Sequence, residues 1–169
     1  MSDERTDPPL EADERASLSA FLDYHRDTLA LKCAGLTDEQ LRTRAVPPSP
    51  MSLLGLVRHL TEVERGWFGN RVARRNLPPL YYSDPDNPDG DFDDVDTADV
   101  AEAFATWRTT CAESRDIVAG VDSLDFLGKR GNGDDVSLRW IMLHLLEEYA
   151  RHNGHADLLR ERLDGATGE

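Results

Sequence analysis

Four long stretches of this chain repeat apolar residues at three- and four-residue steps, and that periodicity limits the fold more than any other feature. The first runs from Leu10 to Ala34, where Leu18, Phe21, Leu22, Leu29 and Cys33 recur; Gly35 is its stop. The second runs from about Ser52 to Arg75 on Leu53, Leu56, Val57, Leu60, Val63 and Trp67. Gly55, Gly66 and Gly69 inside it cost helix stability and point to close packing. The third spans about Ala98 to Val121, with Thr97 as the expected N-cap. The fourth spans about Ser137 to Asp164, with Gly165 just past its end. Thr37-Asp-Glu-Gln40 reads as the cap of a short helix over Thr37–Arg44, and Val46-Pro-Pro-Ser-Pro50 as a rigid connector. No segment reads as a strand. The expected fold class is all-α, an antiparallel four-helix bundle forming one domain over residues 10–165 behind a disordered tail at 1–9.

The balance of charge narrows the function. The 33 acidic residues outnumber 19 basic ones, for a net charge of −14, which repels nucleic-acid phosphates and anionic membranes. No apolar run approaches the length of a membrane span, and Met1–Pro9 does not read as a secretory signal. Cys33 and Cys111 lie far apart inside helical segments, so they read as small core residues in a reducing cytoplasm. The expected partner is a small molecule. A homodimer is compatible with a bundle of this kind.

The chemistry concentrates on the fourth helix. Relative to His144, Glu148, His152 and His155 fall at about 40°, 80° and 20°, and Ile141 and Leu159 both fall at about 60°. The polar group therefore lies along the core-facing stripe. Unpartnered, it would be costly to bury, and a divalent cation relieves that cost. Glu148 and His152, one turn apart, can aim at one point. A third ligand must come from another helix, and His59 is the best candidate, although it sits about 80° from the centre of its helix's stripe. His144 or His155 as a fourth ligand would make the site closed and structural. His25 reads as a partly exposed histidine. Glu147, Arg151 and Asp157 read equally well as surface pairs.

Residues 76–96 show no period and carry seven aspartates. An EF-hand needs glycine at its sixth position; a loop starting at Asn87 has Phe92 there, and one starting at Asp84 has Pro88 fifth. The segment reads as a solvated acidic loop, with Tyr81, Tyr82 and Phe92 able to pin it to the bundle.

His-Leu-Thr-Glu-Val-Glu-Arg-Gly-Trp-Phe at 59–68 and Glu-Glu-Tyr-Ala-Arg-His-Asn-Gly-His-Ala-Asp-Leu-Leu-Arg-Glu at 147–161 resemble the DinB/YfiT-like superfamily. The nearest likeness is to an actinobacterial family of unknown function related to mycothiol-dependent maleylpyruvate isomerase. The resemblance implies a four-helix bundle holding a divalent metal, zinc or nickel, through one histidine on the second helix and two residues four apart on the last. Many members have histidine at both of those last positions. Glu148 before His152 matches the mycothiol-dependent branch instead. The implied ligands are His59, Glu148 and His152. The implied activity is thiol S-transfer or thiol-dependent isomerisation of small electrophiles, with mycothiol as the thiol. Metal-dependent hydrolysis and a non-enzymatic, metal-stabilised bundle are the alternatives. Within the first reading, His155 would orient a ligand or shuttle a proton, and Arg151 or Arg65 would hold a substrate carboxylate.

Overall fold

A computed structural model describes residues 5–83 and 85–168. The four periodic segments become α1 (Glu14–Cys33), α3 (Leu53–Glu64), α5 (Val100–Ala119) and α6 (Leu138–Asp164); α2 (Asp38–Arg42) and α4 (Gly90–Asp93) are short. Each long helix starts on a side-chain cap that satisfies a free backbone N–H. Asp13, Ser52, Asp99 and Ser137 accept from Ala16, Gly55, Glu102 and Trp140 respectively. The cap of α5 is thus Asp99, not Thr97, because Thr97 ends a 3₁₀ turn over Asp94–Thr97. Thr37 and Gln40 form the expected capping box, and Gly165 closes α6 with φ +77°.

α1 packs along α6, and α3 packs against α5 and α6. Their apolar stripes meet in one core in which Leu29, Leu53, Leu60, Ile141, Leu145 and Tyr149 are fully buried. Past Glu64, α3 continues as a π-helical stretch, Arg65–Val72, rather than as α-helix to Arg75. A π-turn inside a helix shifts the face its later residues present, and such turns occur often at functional sites.

The structure departs from the sequence expectation in two further places. The first is a strand pair where none was expected: β1 (Leu127–Lys129) pairs antiparallel with β2 (Asp135–Ser137), Gly128 opposite Val136. Three-residue strands are too short to leave a visible period. The hairpin seats on the π stretch, where a Cβ at Gly128 would lie 2.4 Å from the Arg71 carbonyl oxygen. The second is the start of the chain. Residues 1–4 of the expected tail lie outside the described residues, while the Arg5 guanidinium lies over the Tyr24 ring and donates to Thr28 Oγ1 at 3.0 Å. No helix among the described residues is long and apolar enough to cross a membrane.

Candidate metal centre

The packing of α3 against α6 brings His59 to Glu148 and His152. His59 Nε2 is 3.7 Å from Glu148 Oε2, and His152 Nε2 is 3.4 Å from the same oxygen. One donor atom from each of the three lies within 4.8 Å of the others. A tetrahedral ion with bonds of about 2.1 Å needs its donors about 3.4 Å apart, so two imidazole nitrogens and one carboxylate oxygen at these separations can hold a divalent cation. Burial pushes the His152 imidazole down to about 4, reinforced by His59 and opposed by Glu148. At neutral pH that ring is uncharged and keeps a lone pair to donate.

Neighbours fix the rings. The Nδ1 of His59 is 2.8 Å from Asp91 Oδ2, and Asp91 is buried. With Nδ1–H donated to the carboxylate, the Nε2 lone pair faces Glu148 and His152. His155 Nδ1 stands 3.3 Å from His152 Nδ1, so one ring donates to the other. His144 lies between the Trp67 and Trp140 rings, with Nε2 3.7 Å from Glu148 Oε1. It groups with Glu147 and Glu148; among the described residues no fourth histidine, cysteine or carboxylate joins the His59 group.

Asp91 was not legible as a site residue, and the expectation of a solvated acidic loop fails there. The polar side of α3 clamps the loop. Arg58 donates to the carbonyls of Gly90 and Asp91 at 2.9 and 3.0 Å, and its guanidinium lies 4.3 Å over the Tyr81 ring. Glu62 Oε1 accepts from the backbone N–H of Leu80 and Tyr81 at 2.5 and 2.7 Å. Phe92 packs so closely on α3 that a Cβ at Gly55 would lie 2.8 Å from its Cδ1. His59 sits off the apolar stripe because this loop, not the helical core, covers that side.

A cleft of about 550 Å³ opens beside His59 and Asp91, with Trp67, Phe92, Arg71 and Arg130 also in its walls. Residues 17–165 match the family model MST, mycothiol-S-transferase. The chain belongs to the mycothiol-S-transferase family. That family is part of the DinB-like group. Among curated proteins, none matches the chain.

In this mycothiol-S-transferase family member both cysteines lie in the core. Cys33 and Cys111 are buried and unpaired in any disulfide, and burial pushes both up to about 12. Arg151 is exposed and pairs with Glu147, and Arg65 donates to the Pro78 carbonyl at 3.0 Å; neither lines the cleft. His25 is partly buried, with its carbonyl accepting from Asn153 Nδ2 at 3.0 Å. A larger cavity, about 910 Å³, lies beside Cys33, Leu41 and Phe104 and includes none of the three donors.

Proposed function

We propose that the chain is a divalent-metal-dependent thiol S-transferase of the mycothiol type, built on a four-helix bundle with His59, Glu148 and His152 as ligands to zinc or nickel. One observation carries the reading: donors from two helices converge within 4.8 Å beside an open cleft, and only three protein donors meet there among the described residues. Three ligands leave a position for an exogenous group, as catalytic sites do. When bound there, a divalent ion supplies the Lewis acidity that lowers the pKa of a thiol.

The chain's own residues do the rest. His59 and His152 donate as neutral rings, and Glu148 supplies one negative charge. Asp91 and His155 act through those rings as positioning residues, holding each Nε2 towards the shared point. Trp67 and Phe92 give the cleft apolar walls against which a small electrophile can lie. In the net reaction a carbon–sulfur bond forms, the electrophile's leaving group departs with the bonding pair, and the thiol proton passes to solvent. The two free, buried cysteines fit a reducing cytoplasm.

Elemental analysis of protein purified without a histidine tag, beside His152→Ala, tests the centre. The wild type is expected to carry close to one zinc or nickel per chain and the variant a small fraction of that. Equal metal in both removes the centre. Conjugation of mycothiol to a generic alkyl halide tests the activity, which is expected to disappear with the metal and return on its restoration.

A further inference from the structure

The cleft holds two cations that the proposed reaction does not use. Arg71, in the π stretch, and Arg130, beside the hairpin tip, both line it together with His59. Neither guanidinium has a hydrogen-bond or ion-pair partner among the described residues. Arg44, Arg75, Arg139 and Arg160 each find a carboxylate, and Arg74 and Arg162, which find none among the described residues, lie outside the cleft, so Arg71 and Arg130 are the uncommitted arginines of its lining. The acids of the cleft wall are mostly committed: Asp91 to His59 and Glu62 to the backbone of Leu80 and Tyr81. Asp89 is the remaining carboxylate in the lining.

The hairpin also lies close against Arg71, at whose backbone carbonyl Gly128 has no room for a side chain. A Cβ at Gly131 would lie 3.4 Å from Arg71 Nη2 and 3.8 Å from its Cζ, so the bare glycine leaves the guanidinium uncovered on the side of the hairpin. Its N–H donors stay unspent beside the cleft. A planar cation in that condition matches the two oxygens of a carboxylate. We infer that Arg71 and Arg130 bind a carboxylate on the electrophile, selecting small anionic substrates with an apolar or aromatic body. Trp67 and Phe92 receive that body, and the bound carboxylate keeps the substrate in the cleft beside His59. This rests on the transferase reading and adds its substrate class.

The test separates the two ideas. Calorimetry on the full chain compares para-toluate with para-toluamide, which differ in charge and hardly in shape. The wild type is expected to prefer the carboxylate about tenfold, and Arg71→Gln/Arg130→Gln to reduce that preference to about one. Asp89→Asn should strengthen toluate binding, and added salt should weaken it. A circular dichroism spectrum matching wild type establishes that the double variant folds. Kinetics with mycothiol then compare para-(chloromethyl)benzoate with its carboxamide; in each the carbon–sulfur bond forms, chloride leaves, and the thiol proton goes to solvent. The acid is expected to win in kcat/KM through KM, and the double variant to lose that selectivity. Equal binding of toluate and toluamide by the wild type overturns the inference, as does a preference that survives in the double variant. Turnover of both halides without selectivity overturns the carboxylate site and leaves the transferase reading standing. A toluate preference without turnover of either halide does the reverse.

Discussion

His59 shows how much of the proposed centre depends on one hydrogen bond. A free imidazole can protonate either nitrogen, and only the Nδ1–H tautomer offers Nε2 to Glu148 and His152. The 2.8 Å contact from Nδ1 to Asp91 Oδ2 selects that tautomer and fixes the ring plane. Asp91→Asn keeps an acceptor but removes its charge, so metal affinity should fall about 10–100-fold with the fold intact. Competition against a chromophoric chelator measures this, and unchanged affinity would show that Asp91 does not orient the ligand. The cysteines make the opposite kind of prediction. Burial raises both thiols to about 12, so at pH 8 almost none is thiolate and reagent access is closed. Ellman's reagent should find no thiol in the folded protein at that pH and two in guanidinium chloride. One fast thiol in the native state would contradict the burial of Cys33 or Cys111.

At the scale of elements, α3 does two jobs on two faces. Its apolar face enters the core, and Arg58, His59 and Glu62 grip the loop over residues 77–92. Arg58→Ala would strip the buried carbonyls of Gly90 and Asp91 of a charged donor, at a cost of about 2–3 kcal/mol. Urea unfolding should register that loss, and amide exchange should quicken in the loop rather than throughout α3. Uniform loss of protection would mean that the clamp stabilises the core instead. The helices were legible because their apolar stripes repeat over many turns, and Thr37, Ser137 and Gly165 carried the ends of α2 and α6. Glu148 and His152 could be paired from one helix's geometry. Asp91 could not be picked out, since seven aspartates crowd its segment and its role is set by a residue 32 positions earlier. The π stretch and the hairpin left no period either. Yet they place Arg71 and Arg130 in the cleft, whereas Arg65 and Arg151, the arginines that the motifs suggested for a substrate carboxylate, lie outside its lining.

Across the whole molecule, the proposed metal centre should depend on the core far more than the core on any metal. Leu53, Leu60, Ile141 and Leu145 pack without any contribution from the ligands, so metal-free protein should stay folded. Chelation at a hundredfold excess of metal over its dissociation constant removes about 2.7 kcal/mol, lowering the melting temperature by about 5–10 °C. What aligns the helices is a polar network inside that core. Arg26 of α1 donates twice to Glu64 of α3 at 2.8 and 2.9 Å, Tyr149 of α6 donates to Glu64 at 3.0 Å, and Trp107 of α5 donates to Tyr149 at 3.0 Å. Glu64 follows His59 on α3, and Tyr149 adjoins Glu148 on α6, so a network that sets the rotation of α3 against α6 also sets whether the donors meet. Glu64→Gln removes the buried counter-charge of Arg26 and leaves it only the partly exposed Asp23 carboxylate at 2.8 Å, so it should cost up to about 3–5 kcal/mol. Adding Arg26→Met removes the stranded charge while the amide carbonyl introduced by Glu64→Gln can still accept from Tyr149, so the double variant should recover more than half of that loss. Urea unfolding of the three proteins decides it: equal stability of single and double variants would mean that Arg26 is not stranded, and that the helices are aligned by apolar packing alone.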